Sequence, residues 1–94
     1  MARRDDTADA EWSVYAQRLA TALRRAREGA GLSQEQVAYR AGLTRYTYQK
    51  YEKGESRPGT PANPTLRTML ALSQVLDVTV ASLIPADAPD LRSR

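Results

Sequence analysis

Residues 33–54, SQEQVAYRAGLTRYTYQKYEKG, constrain the fold more than any other stretch of the chain. Ser33 has the chemistry of a helix N-cap. Gln36 follows three residues on, the spacing at which each side chain satisfies an orphan N–H at a helix start. Val37, Ala38 and Ala41 recur at helical spacing as a small apolar face. Gly42 supplies the left-handed residue that commonly ends a helix, Leu43 turns inward, and Thr44 is a second N-cap. The stretch therefore reads as a short helix, a tight turn and a second helix.

At about 100° per residue the second helix sorts its side chains by face. Tyr48, Tyr51 and Glu52 share one side. Tyr46, Gln49, Lys50 and Lys53 share the other, with Arg45 exposed at the first turn. One face is aromatic and inward, the opposite face carries donors and cations, and Gly54 ends the helix. Two helices so spaced, the second with a polar and basic outer face, form a helix-turn-helix motif whose second helix enters the major groove. Net charge is +3 with a pI near 9.6, which ordinary surface charge alone explains. Position is more telling. Arg40, Arg45, Lys50, Lys53 and Arg57 cluster around the second helix, a local basic footprint suited to a phosphate backbone.

The pattern S-Q-x-x-V-A-x-x-A-G-L-T, then Tyr48, then Y-E-x-G at 51–54, resembles the phage-repressor type of helix-turn-helix (lambda Cro and repressor, the xenobiotic-response-element class). That family shows Ser-Gln, Leu-Ala, Gly-Val-Ser, Ile and Glu-x-Gly at these spacings. The resemblance runs from about residue 23 to 83. It implies an all-α fold, a five-helix lambda-repressor-like DNA-binding domain, here with an extended first helix and a long loop between helices 3 and 4. It also implies that Arg27 pairs with Glu52, because an unpaired carboxylate on the inner side of the recognition helix is costly. A bidentate pair would tie the first helix to the recognition helix; the alternative is two solvated charges on separate faces. To Gln34 the resemblance gives a hydrogen bond to a DNA phosphate and a bracing role toward the recognition helix. A helix N-terminus already favours an anion there.

Ahead of the motif, Trp12, Tyr15, Leu19, Ala22, Leu23, Ala26 and Ala30 form one apolar stripe at three- and four-residue intervals. With Thr7 or Asp9 as cap, this predicts a helix from about residue 9 or 10 to 28 or 30, stopped by Gly29-Ala30-Gly31. The family's first helix begins later, near residue 15, so the turns carrying Trp12 are an extension. Trp12 reads most simply as a packing residue; the alternative is a subunit contact, where large aromatics are favoured. Residues 1–8 mix Arg3, Arg4, Asp5 and Asp6 without periodicity and read as a disordered start. A basic arm in a minor groove is the alternative, opposed by the adjacent aspartates.

Beyond Gly54, the run ESRPGTPANP argues against any regular element. It exceeds the family's link by roughly six residues, where a typical connection has about 4–6. Arg57 is either a phosphate contact or a solvated loop residue. Asn63 as cap and Pro64 at the first helical position open a fourth helix, with Leu66, Met69, Leu70, Leu72, Ser73 and Leu76 as a wide buried face. Asp77-Val78-Thr79 turns into a short fifth helix carrying Val80, Leu83 and Ile84, and Pro85 stops it. The last residues read as a frayed tail. The expected organisation is a disordered start at 1–8, a helix-turn-helix domain at 9–84 and a flexible tail at 85–94.

Composition then removes whole classes of function. Ninety-four residues, 41% hydrophobic, make one domain that buries roughly 60–65% of its unfolded surface. Neither Cys nor His occurs. Disulfides and thiolate metal sites are excluded, as are His-based catalysis, the usual zinc sites and an ordinary pH switch. No apolar run approaches the ~20 residues of a membrane span, and MARRDDTADA lacks the apolar core of a secretory signal. The expected location is cytoplasmic, nucleoid-associated when bound to DNA. No Gly-rich phosphate loop or metal-ligand cluster is present; Ser33, Ser56 and Ser73 have no His partner. Nothing supports an enzyme, a cofactor or a small-molecule ligand.

What remains is recognition of double-stranded DNA. Arg45, Tyr46, Gln49 and Lys50 occupy the positions that face base edges. Arg or Lys suits guanine O6 and N7, Gln suits adenine N6 and N7, and each such contact is worth about 1–3 kcal/mol of discrimination. Tyr46 suits a thymine methyl or a phosphate. Lys53 suits a phosphate, which positions without specifying sequence. Ser33 and Thr44 add phosphate contacts to their capping. Tyr48 and Tyr51 suggest a stacking platform for single strands, but helical geometry turns both toward the core. Tyr39 is outward and has no assigned role. The expected function is a sequence-specific transcriptional regulator, as a homodimer on a pseudo-palindromic operator. The rivals are a DNA-binding antitoxin of a toxin pair and a protein-interaction adaptor reusing the fold.

Overall fold

The computed structural model describes residues 4–92, with side chains from residue 8 onward. Helix α1, Arg4–Gly29, starts earlier than the expected residue 9 or 10. Thr7 and Asp9 lie inside it, so neither caps it. No Gly or Pro stands before Gly29 to oppose an early start, and residues 4–8, expected to be disordered, are helical; residues 1–3 lie outside the described residues. Tyr15, Ala16, Leu19, Ala20 and Leu23 form its buried stripe. Trp12 is half-buried, its ring 5.5 Å from that of Tyr15. The Tyr15 hydroxyl donates to the Pro85 carbonyl at 2.7 Å, tying α1 to the segment after the last helix.

Helix α2, Gln34–Arg40, opens on a full capping box. Gln36 N–H donates to Ser33 Oγ at 3.0 Å, and Ser33 N–H to Gln36 Oε1 at 2.8 Å. Helix α3, Arg45–Lys53, is capped by Thr44, whose Oγ1 accepts from Thr47 N–H at 3.0 Å. Its end is Gly54 at φ +79°. Gln17 of α1 donates to the Lys53 carbonyl there at 2.8 Å.

The 55–64 segment is not the irregular loop expected. It folds as a hairpin, β1 Glu55–Arg57 antiparallel to β2 Thr60–Pro61. Pro58 and Gly59, at φ +80°, are the turn pair that a type II turn favours, proline first and glycine second. A two-stranded ribbon is all edge, so prolines cost it little. Ala62 N–H donates to the Gly54 carbonyl at 2.9 Å, and the buried Ala62 closes the base of the hairpin.

Helix α4, Leu66–Leu76, is capped by Thr65, not Asn63; Pro64 stands before the cap. Thr65 Oγ1 accepts from Thr68 N–H at 3.1 Å and its hydroxyl also bonds that of Thr68, a reach Asn63 lacks. Met69, Leu72, Ser73 and Leu76 are buried. Leu66 is 70% and Leu70 45% exposed, because both lie past the edge of that stripe on the helix wheel. Asp77, at φ +58°, turns the chain into α5, Val80–Leu83, capped by Thr79. Leu83 is buried and Ile84 exposed. Residues 85–92 carry no helix or strand, and 93–94 lie outside the described residues.

The fold is thus mostly helical, with a small two-stranded sheet that an all-α description omits. Every helix feeds one core: Leu19 and Leu23, Val37 and Ala38, Tyr48, Met69, Leu72 and Leu76, and Leu83. Each fully buried Leu or Val contributes about 1.5–3 kcal/mol. Among the described residues, no helix is long and apolar enough to cross a membrane.

Candidate nucleic-acid interface

Helix α3 is held by its inner face. Tyr48 has no exposed surface and Glu52 retains 6%. A buried carboxylate survives only when its lone pairs are filled, and those of Glu52 are. Arg27 donates from Nε to Oε2 at 2.6 Å and from Nη2 to Oε1 at 3.1 Å, a bidentate pair. The Tyr48 hydroxyl donates to Oε2 at 2.5 Å, and Gln34 Nε2 to Oε1 at 3.0 Å. Burial pushes the Glu52 carboxyl up, but the hydrogen bonds from Arg27, Tyr48 and Gln34 outweigh it and hold the group below the usual carboxylate range. Burial pushes the Tyr48 phenol up, and its bond to Glu52 adds to that. The bond to Glu52 raises Arg27 in turn.

The structure brings Gln34, Gln49, Arg27, Glu52 and Lys53 around one cleft together with Arg24. Gln49 Nε2 donates to Gln34 Oε1 at 3.2 Å. Ser33 and Arg45 meet at a second, adjoining cleft with Gln34, Glu35 and Arg27. Arg45, Tyr46 and Lys53 are exposed, and Gln49 and Lys50 are half-buried. Lys50 Nζ lies 4.1 Å from the centre of the Tyr46 ring, a cation–π contact one helical turn apart. Ser33 and Thr44 are exposed and engaged as caps. Arg57 is exposed on β1 and lines neither cleft. Tyr51 is half-buried against the core, and Tyr39 is exposed.

Five hydrogen bonds around α3 go beyond what the sequence pattern names. The Tyr48 bond to Glu52 had a signal, since residues four apart share a helix face. Gln34 had a bracing role but no named partner; its partners are Glu52 and Gln49. Gln17 and Arg24, which reach the Lys53 and Glu52 carbonyls, had none, because the packing register of α1 on α3 is not local. Among the described residues there is no group of metal-ligating side chains.

A family model described as a helix-turn-helix domain matches residues 18–83. The chain belongs to the helix-turn-helix domain family. It is a DNA-binding regulator of the helix-turn-helix kind. The helix-turn-helix chain is similar to a solved structure, the restriction-modification controller protein C.AhdI from Aeromonas hydrophila. The two are 31% identical with a TM-score of 0.64, over 72% of this chain and 94% of that one. No curated protein matches this helix-turn-helix sequence.

Proposed function

We propose that this chain is a sequence-specific transcriptional regulator that lays α3 in the major groove of double-stranded DNA, as a homodimer on a pseudo-palindromic operator. One observation carries the reading. The inner face of α3 is locked to α1 and α2 through Glu52, while Arg45, Tyr46 and Lys53 remain exposed on its outer face. A rigid helix with a free basic face is what base-edge readout requires. Likeness to a restriction-modification controller protein supports a regulatory role. In this reading Arg45, Tyr46, Gln49 and Lys50 read bases, and Ser33, Gln34, Thr44, Lys53 and Arg57 meet phosphates.

One recognition helix covers little DNA, so paired half-sites about 34–36 Å apart are the usual solution. Exposed Leu66 and Leu70 on α4, and Ile84 beyond α5, support these two helices as the source of the subunit contact. Selection from a random duplex pool, followed by affinities for the winning sequence and its single-base variants, tests the regulator reading. Lys50→Ala relaxes preference at one base pair. Lys53→Ala weakens all duplexes alike and lowers the salt slope by about 1. Equal, sequence-blind losses from both would contradict the assigned roles.

A further inference from the structure

The two ends of a glutamine amide are alike in shape and opposite in hydrogen-bonding sense, so an isolated glutamine on a recognition helix can face DNA either way round. Gln49 is not isolated. Its Nε2 donates to Gln34 Oε1 at 3.2 Å, and Gln34 Nε2 donates to Glu52 Oε1 at 3.0 Å. At the head of this relay Glu52 is gripped by Arg27 Nε and Nη2 and by the Tyr48 hydroxyl. It is therefore an ionised carboxylate, which accepts and never donates.

We propose that Glu52, acting through Gln34, sets the orientation of the Gln49 amide, so that Gln49 reads adenine and rejects guanine. The relay admits one order. Glu52 accepts only, so the NH2 end of Gln34 must face it. That leaves the oxygen of Gln34 toward Gln49, which must answer with its own NH2. One Gln49 amide hydrogen is thereby spent inside the protein. What remains for the groove is one N–H and the carbonyl oxygen.

Adenine offers N7 as acceptor and N6–H as donor, which this remainder fills with two bonds. Guanine offers two acceptors, N7 and O6, and a tethered Gln49 has one donor left for them, its oxygen facing O6. Cytosine and thymine each take a single bond. An untethered glutamine could turn both amide hydrogens to guanine; the tether removes that option. Glu52 and Gln34 are thus positioning residues for base choice, in addition to whatever Gln34 does at a phosphate.

This inference rests on the proposed seat of α3 in the groove, and its test separates the two. Gln49→Ala first identifies the base pair that Gln49 reads, as the one position where selectivity disappears. Four duplexes differing only there are then titrated with the wild-type chain and with Gln34→Met, which keeps the bulk of Gln34 and loses its hydrogen bonds. Circular dichroism confirms that the variant folds. The wild type should prefer adenine over guanine by about tenfold or more, the scale of a bidentate contact. Gln34→Met should bring that ratio to within about twofold while preferences at other positions persist. In Gln49→Ala, adding Gln34→Met should change nothing further at that pair. If Gln34→Met weakens all four duplexes by one factor and keeps the adenine ratio, the relay is overturned and the regulator reading stands. If Gln49→Ala leaves every preference intact, the relay falls as well. If the wild type holds all duplexes alike, the regulator reading itself falls, and the relay with it.

Discussion

Glu52 holds three helices together, because it is charged, nearly buried and shared by three donor side chains from three helices. Removing Arg27 would strand that charge. Arg27→Met should destabilise the fold by about 3–5 kcal/mol, the cost of breaking a buried pair from one side, read as a lower urea midpoint. Arg27→Met with Glu52→Gln should lose less than Arg27→Met alone, because the stranded charge is gone; an equal or larger loss would mean that contact, not charge, dominates. The same carboxyl sets an acid limit. Its folded pKa lies below the ordinary value, so its contribution is full above the unfolded pKa, about 4.3. That contribution is lost as pH falls through the folded value. Thermal midpoints should hold from neutrality to about pH 5 and then drop, since protonation begins near the unfolded pKa. Glu52→Gln should lack its share of that drop.

Between helices, the junction at Gly54 joins three elements: the end of α3, the start of the hairpin and the middle of α1. A Cβ on Gly54 would sit 2.5 Å from Gln17 Nε2, at φ +79°. Gly54→Ala should therefore cost about 2–3 kcal/mol, from left-handed strain of about 1–2 and a lost hydrogen bond of about 1. Gln17→Ala should cost only about 0.5–1.5. Chemical denaturation of both variants measures the difference, and near-equal losses would refute the strain argument. This junction also marks where sequence legibility stopped. Capping chemistry is local, so Ser33, Gln36 and Thr44 announced α2 and α3 correctly. The Arg27 and Glu52 contact was legible only through family likeness, because the two side chains meet across 25 positions of sequence. The hairpin is hidden in the sequence because its prolines signal a breaker, whereas a two-stranded ribbon tolerates them and Pro58-Gly59 is itself a turn signal. At α4 the Asn63-Pro64 pair points to Asn63 as the cap, but Thr65 takes that place because its Oγ1 reaches Thr68 N–H. Leu66 and Leu70 stand exposed although their hydrophobicity suits the core, because hydrophobicity marks what can be buried, not how wide a face the neighbouring helices cover.

At the scale of the whole molecule, those two leucines leave an apolar surface on the side that carries α4. If it joins two copies, Leu70→Glu should abolish self-association while leaving the fold intact, since Leu70 is already 45% exposed. Sedimentation across a concentration series reads the first and circular dichroism the second. A wild type that stays monomeric at high concentration would remove the proposed dimer. The division of labour within α3 has a practical consequence. Positions 48 and 52 face inward and do the holding; positions 45, 46 and 50 are bound into no part of the core. A library randomised at those three outer sites should stay folded almost throughout, because surface changes typically shift stability by no more than about 0.5 kcal/mol. Such a scaffold behaves as an interchangeable print head, in which new target sequences are sampled without re-solving how the protein stands up.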